Sequence, residues 1–338
     1  MNHESTLINL LRWKRDELFY RDYYFADDSK KERMIEETDP SMEARDYVLH
    51  PEHLPIRQLE ESFFASGQNV YLVPHPRYLP LFTHDHVFFE MLYVMVGECD
   101  QLLDGAEKHF TQGDVCLIAP GVKHGIKVFD DSVVINILIR SSTFMDIFLN
   151  AVRDKSRLSS FFLGSVYDNR KIPYLTYHTG NDESLRGYLL NMYAEQGAGD
   201  SFSDRIMSSL LTIFFAELTR NHSKDMEMPD NSDSPSPYSE QLMSYIISHF
   251  DSVTLNDLAA HFHFSVPYCS KLVKTSCGLS FSELITRLRM QHGLSLLEST
   301  NMSISDISEQ VGYKNPETFI RCFTRTFGKT PSQFRRRA

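Results

Sequence analysis

No stretch of this 338-residue sequence stays apolar for the roughly 18 residues that suggest a membrane span, which argues against a transmembrane protein. The first 24 residues mix charge with apolar side chains and lack the core of a secretory leader. Cysteine is sparse. Cys99, Cys116, Cys269, Cys277 and Cys322 form no CxxC pair, and an odd, scattered set predicts free thiols in a reducing cytoplasm. Basic charge is also short: 34 Lys/Arg against 45 Asp/Glu give a net charge of −11, which at first sight speaks against a nucleic-acid partner. The deficit is uneven, however. Residues 239–338 carry 11 basic and 8 acidic side chains, leaving 23 basic and 37 acidic in the rest. An acidic body thus precedes a mildly basic tail ending in Arg335, Arg336 and Arg337, and charge alone leaves DNA binding open.

What remains is ordinary for a soluble globular chain, 42% hydrophobic and 23% charged, and its length suits two domains with an additional helical segment. Residues 1–60 read as a mixed, partly helical extension. From about Asn69 to Arg140, short runs rich in Val, Ile, Phe and Tyr are punctuated by Gly, Asp and Pro, the pattern of successive strands. Leu185–Arg220 reads as helical; its apolar Leu189, Leu190, Met192 and Tyr193, with Phe144, Ile147 and Phe148 upstream, suit a dimer surface or a core equally. Asn221–Pro237 is polar, holds three prolines and reads as an exposed linker.

The strongest signal is an internal duplication. Thr254-Leu255-Asn256-Asp257-Leu258 aligns with Ser303-Ile304-Ser305-Asp306-Ile307 at an offset of 49, and the match runs on to Pro267 and Pro316. One inserted residue then pairs Lys271 with Arg321, Gly278 with Gly328 and Ser282 with Ser332. Each copy opens on a hydroxyl side chain fit to cap a helix and carries an i, i+3, i+4, i+7 stripe: Leu255, Leu258, Ala259 and Phe262, then Ile304, Ile307, Ser308 and Val311. A turn follows (His263 to Ser265 in one copy, around Gly312 in the other), then a second helix, Val266 to Cys277 or Asn315 to Phe327. A long amphipathic helix, Phe281 to Glu298, separates the copies. A helix-turn-helix lays its second helix in the major groove, and two units on a rigid spacer suit groove segments about 34 Å apart. Two helical hairpins with no DNA role fit the periodicity as well.

The stretches Leu255–Met290 and Ile304–Arg336 resemble the AraC/XylS family of bacterial transcription regulators, chiefly through Val311-Gly312-Tyr313, Phe319-Ile320-Arg321-Cys322-Phe323 and the segment from Phe327-Gly328 to Phe334-Arg335. The resemblance implies that Pro267, Ser270, Lys271 and Lys274 of the first recognition helix, and Asn315, Pro316, Glu317 and Arg321 of the second, face the groove. Arg321 suits guanine O6 and N7, and Glu317 suits cytosine N4. Lys274, Arg325 and Lys329 suit phosphates. Pro267 cannot hydrogen-bond a base, which weakens readout by the first helix.

His84, His86 and Glu90 fall on even positions of one predicted strand, so alternation would point them to one side. Gly97 suits a hairpin turn, and Pro120-Gly121 could aim His124 back at the same cavity. H-x-H-x-x-x-E-x(6)-G followed by G-D-x(5)-P-G-x-x-H is similar to the two motifs of the cupin β-barrel superfamily, with Ala119 where proline is frequent. That resemblance implies that His84, His86, Glu90 and His124 are ligands for Zn, Fe, Mn or Ni. The alternatives are an effector pocket without metal and a purely structural role.

The expectation is therefore an α+β multidomain protein. A partly helical extension (1–60), a cupin-like β-barrel sensor (61–140), a helical dimerisation and coupling region (141–220) and a linker (221–238) precede an all-α domain of two helix-turn-helix units joined by a long helix (239–338). Its expected function is sequence-specific transcription regulation, more readily activation, in the cytoplasm, as a homodimer. The expected partners are double-stranded DNA, a small effector such as a sugar or organic acid, and RNA polymerase for an activator. No membrane partner and no certain cofactor are expected. A metal-dependent cupin dioxygenase or isomerase is the competing reading, and a DNA-binding tail argues against it.

Overall fold

A computed structural model describes residues 3–38, 47–48, 56–65, 67–141, 143–144, 161, 173–229, 237–277 and 279–335. The described residues fall into two compact units, one drawn from 1–139, 173–214 and 224–228, the other from 140–172, 215–223 and 229–338. Ile147, Phe148, Arg336 and Arg337, named in the sequence reading, lie outside the described residues. Among the described residues no helix is long and apolar enough to cross a membrane.

The first unit begins with three short helices, α1 (His3–Leu11), α2 (Arg15–Tyr24) and α3 (Asp28–Glu37). Glu17 folds back to accept the Lys14 amide at the start of α2. It also meets Arg77 in a buried two-pronged pair, at 3.0 Å to Nε and 2.9 Å to Nη2. The Arg77 guanidinium lies 3.9 Å from the ring centre of Trp13. A buried charge is tolerated only when paired and hydrogen-bonded, so this contact fixes where the extension docks.

The strands are β1 (Arg57–Gln58), β2 (Val70–Pro74), β3 (Asp85–His86), β4 (Phe89–Val96), β5 (Glu98–Leu103), β6 (Ala106–Thr111), β7 (Asp114–Ile118), β8 (His124–Lys127), β9 (Val133–Ile139), β10 (Tyr174–His178) and β11 (Met226–Glu227). They form a six-stranded sheet in the order β11-β10-β7-β4-β9-β2, a three-stranded sheet β6-β5-β8 and a small pair β1-β3. Gly97, at φ +80°, turns β4 into β5 where a Cβ would strike Ser132. Two expectations are corrected here. The sheet does not end at residue 140, because β10 pairs with β7 and β11 with β10. The expected linker is shortened for the same reason, and because its preceding helix continues to His222. Both added strands are short and gain their hydrogen bonds from residues distant in sequence, which local patterning does not report.

Paired residues of an antiparallel ladder share a face. One face of the large sheet therefore carries Glu90, Leu92, Cys116, Asn136 and Leu138. In the small sheet, buried Gln101 and Leu103 share a face with Ile126 and His124. On the opposite face of β4, Tyr93 feels the charges of Asp182, Glu183 and Arg186 at the start of α4 (Glu183–Ala198), a helix capped by Asp182. Gln196 of α4 accepts from the Leu72 amide and donates to the Leu72 carbonyl, at 2.7 and 2.9 Å, closing the open edge of β2. Leu189, Leu190 and Met192 are buried in this unit, so core packing prevails over the dimer-surface reading for them. The exposed apolar side chains are instead Phe202, which precedes α5 (Ser203–His222), and Ile206 and Ile213 within it.

The second unit is helical: α6 (Pro237–Ser248), α7 (Leu255–Phe262), α8 (Val266–Cys277), α9 (Phe281–Ser299), α10 (Ile304–Gln310), α11 (Pro316–Phe327) and α12 (Pro331–Arg335). Its starts are written in the sequence. Thr254 with Asp257 and Ser280 with Glu283 form reciprocal caps, while Ser303 and Asn315 cap α10 and α11. Leu258, Ala259, Cys269, Leu272 and Val273 turn inward in the first pair of helices. Met290, Leu297, Ile307, Val311, Phe319 and Phe323 form the core of the second. Arg289 of α9 ties the halves together: its Nε, Nη1 and Nη2 donate to the carbonyls of Phe250, Gly312 and Asp251, each at 2.9 Å. Gly312 sits at φ +86°, and a Cβ there would come within 1.9 Å of the Asp251 oxygen.

Replacing Arg289 with Met, which keeps the stem and removes the fork, is expected to lower the stability of this unit by about 2–3 kcal/mol. The shift in urea midpoint measures it, and a loss below about 0.5 kcal/mol would show the guanidinium to be dispensable.

Candidate nucleic-acid interface and sensor site

The second helix of each pair turns one side outward. On α8, Lys271 and Lys274 are exposed, as are Val266, Pro267 and Tyr268 in the first turn, whereas Ser270 is only half-exposed. On the second pair, Lys314, Asn315, Glu317, Arg321, Arg325 and Lys329 are exposed and Pro316 is half-buried. Asn315 spends its side-chain oxygen on the Glu317 amide at 2.8 Å, leaving its amide nitrogen for outside contacts. The expected DNA-facing residues thus share exposed faces, with Ser270 and Pro316 the least accessible. Exposed Tyr268 and Lys314 were missed; a period of 3.6 counted back from Lys271 would have found Tyr268, while Lys314 stands just before the Asn315 cap of α11, outside the helical period.

Three of the four expected ligands, His84, Glu90 and His124, come together, though not along one strand; His86 lies beside Glu90 without joining that group. The chain bends at Val87 and Phe88 between β3 and β4, so alternation does not carry His84, His86 and Glu90 together. His84 instead forms a bridge with His124, each amide donating to the other's carbonyl at 2.9 Å. The amide of Gly121 in the Pro120-Gly121 turn donates to the His86 carbonyl at 2.7 Å and sets the approach of His124. Nε2 of His86 lies 3.3 Å from Glu90 Oε2, and that of His124 lies 3.6 Å from the same oxygen. One nitrogen each from His84 and His124 and a Glu90 oxygen fall within 4.8 Å of one another.

Each imidazole has its other nitrogen engaged. Nδ1 of His84 faces the Phe82 carbonyl at 3.4 Å, that of His86 the Phe88 carbonyl at 2.7 Å, and that of His124 the Val122 carbonyl at 3.0 Å. A carbonyl only accepts, so Nδ1 carries a proton in each ring and Nε2 is the nitrogen left for the interior. Nε2 of both His86 and His124 is buried without a hydrogen-bond partner. A bare Nε2 beside a carboxylate sets lone pair against lone pair, so a proton on the ring or a cation between them is needed. Burial raises the Glu90 pKa, but His124 and His86 outweigh it and hold the carboxyl well below its usual range. Burial likewise opposes charging of His124, yet Glu90 prevails and its pKa is raised. His86 is lowered by burial despite Glu90, and burial with the nearby His124 pushes His84 down to about 4.

More polar atoms lack partners nearby. Both side-chain polar atoms of Gln101, the Asn136 oxygen and His75 Nε2 are buried and unsatisfied. Such atoms are rare in folded proteins and mark places where water, an ion or a ligand belongs. Sequence reasoning missed Gln101 and Asn136. The signal was present, since Gln101 stands between Cys99 and Leu103 in the inward phase of β5.

Comparison with known proteins agrees with both halves. A family model described as an AraC-like ligand binding domain matches residues 76–211, and one described as a helix-turn-helix domain matches residues 258–337. The uncharacterized HTH-type transcriptional regulator YfiF of Bacillus subtilis is 25% identical over 260 residues, covering 75% of this chain and 78% of the relative. The HTH-type transcriptional activator RhaR of Escherichia coli is 24% identical over 295 residues, 83% of this chain and 96% of that one. Among solved structures, the C-terminal domain of AraT, a response regulator from Geobacillus stearothermophilus, is 34% identical over 31% of this chain and 89% of its own, with a TM-score of 0.30.

Burial pushes the pKa of His75 down to about 4 against the opposing pull of Glu90. A depressed histidine contributes stability that is complete above the unfolded value near 6.5 and is lost as pH falls toward 4. Between pH 7 and pH 5 the loss is expected to be about 2 kcal/mol, and His75→Gln should flatten that part of the profile. Equal slopes for variant and parent in urea unfolding would contradict the assignment.

Proposed function

The chain belongs to the AraC family of DNA-binding transcription regulators with a ligand-binding domain, not to the enzymes, and we propose that it works as a one-component switch. In this reading the two sheets are the walls of a cupin-like barrel that takes a small polar effector, a sugar or an organic acid. The two helix pairs act as helix-turn-helix units held by α9. Effector binding shifts the balance between arrangements of the protein, which requires that one arrangement bind the effector better. The observation that carries the DNA half is the outward side of the second pair, where Lys314, Arg321, Arg325 and Lys329 are all exposed and Glu317 is the one acid between residues 314 and 329. Arg321 and Glu317 are cast as base readers, Lys274, Arg325 and Lys329 as phosphate contacts, Lys271 at the groove margin, and Ser270, Asn315 and Pro316 as groove neighbours.

Phe202, Ile206 and Ile213 recur at helical spacing and are exposed, which supports a homodimer through the start of α5. Activation through RNA polymerase is favoured because a relative spanning most of the chain is named as an activator. A regulator of this kind works beside the chromosome, in the cytoplasm.

The inner cluster suits a divalent transition metal. The donor set of His84, His86, Glu90 and His124 is that of Zn, Fe, Mn or Ni sites, and its Nδ1 contacts orient every ring. The 3.3 and 3.6 Å separations from Glu90 also match the edge of about 3.4 Å between ligands held about 2.1 Å from a tetrahedral ion. When bound, the ion would supply a Lewis-acidic anchor for an oxygen of the effector, with Gln101 and Asn136 offering hydrogen bonds beside it.

Two measurements test these readings. Arg321→Ala should weaken binding to the protein's operator by about 1–3 kcal/mol and relax the preference at one base pair; affinity equal to the parent removes Arg321 from the readout. Chelator-treated protein should gain thermal stability on addition of Zn²⁺, Mn²⁺, Ni²⁺ or anaerobic Fe²⁺, and His84→Ala should blunt that gain. No shift with any of the four, and no metal in protein purified without chelator, would remove the metal.

A further inference from the structure

The two reading faces differ in chemistry. In an HTH the first residues of the second helix meet the base edges. On α8 those residues are Val266, Pro267 and Tyr268, and all three are exposed, Val266 to 37% and Tyr268 to 44%. On α11 the corresponding positions hold exposed Asn315, half-buried Pro316 and exposed Glu317, with Arg321 one turn on. The apolar face is not loose. The Tyr268 ring packs edge-on against Phe264 at 5.0 Å, and Phe264 packs edge-on against Tyr238 at 5.5 Å. Ser265 holds the Tyr268 amide through its hydroxyl at 3.3 Å. Lys271 and Lys274 follow on the same helix and complement phosphates at the groove margin.

A rigid apolar surface flanked by two cations fits one feature of the major groove, the 5-methyl group of thymine. Resting on the DNA-binding reading above, we infer that this protein recognises a bipartite operator: a thymine-rich subsite read through its methyl groups by Val266, Pro267 and Tyr268, and a guanine-containing subsite read by Arg321 and Glu317. The first subsite is held mainly by contact with methyl groups, the second mainly by charge. Pro267 thereby becomes an asset, since a methyl group asks for no hydrogen bond.

The test begins with selection of binding sites by the full-length chain from a random-sequence duplex library. If no sequence is enriched, the DNA-binding reading itself fails. If a site is enriched, Tyr268→Ala and Arg321→Ala identify which positions each helix reads, because only the preference at its own positions is lost. Thymines in the Tyr268 subsite are then replaced by uracil, which removes only the methyl group, and guanines in the Arg321 subsite by 7-deazaguanine, which removes only N7. Uracil should weaken binding about fourfold per contacted methyl, the worth of one buried methyl-sized group, at the first subsite alone. Deazaguanine should weaken it about tenfold at the second alone. Unchanged affinity with uracil throughout overturns the inference and leaves the DNA-binding reading intact. Should Tyr268→Ala in addition abolish activation without altering DNA affinity, the exposed face would belong to a protein partner instead.

Discussion

A carboxylate with almost no access to water sets the terms for the interior of the first unit. Glu90 is 4% exposed and stays ionised only because imidazoles surround it. Those imidazoles are not free to turn. Each is held through Nδ1 by a backbone carbonyl two residues away, so the local chain path fixes which nitrogen faces inward. The bend at Val87 and Phe88 serves the same end by bringing the Phe88 carbonyl within reach of His86. Side chains from β3, β4, β8 and the segment before β3 are thereby directed at one point, and positive charge is required there whether a proton or a metal supplies it. A molecule that changes this balance acts on a buried group of mutually dependent charges, a physically sound place for a sensor.

Much of the helical unit was legible in the sequence because its signals are local. Thr254, Ser280, Ser303 and Asn315 each announce a helix start through a cap that the structure reproduces, and the apolar stripes turn inward as their spacing required. The strands were legible as strands but less so as a sheet. Tyr174–His178 and Met226–Glu227 join it through partners distant in the chain, and no period within either segment could have revealed them. The histidine cluster was reached from its motif, while the reason given for it, alternation on one strand, was not how the chain assembles it. Gln101 and Asn136 went unnoticed because a lone polar residue in an apolar phase carries little weight until its partners are seen to be missing. The apolar helical residues after β9 left two readings equally open, and burial of Leu189, Leu190 and Met192 decides for the core.

The two helix pairs show how far a duplicated unit diverges while its frame persists. Both keep an inward stripe and a cap. Their outward sides no longer match: a valine and a tyrosine flank the shared proline in one, an asparagine and a glutamate in the other. The cores have diverged too, since buried Cys269 and Val273 pair with buried Phe319 and Phe323, but at the outward positions the folding requirement constrains change only weakly.

Arg289 extends that separation to the junction between the pairs. Its three bonds end on main-chain oxygens, and apart from the glycine at 312 they place no demand on which side chains stand at the carbonyls it grips. The scaffold and the lettering it carries are therefore nearly independent inventories of residues. Such a domain can be retargeted, by descent or by design, one outward position at a time, with each intermediate remaining a folded protein.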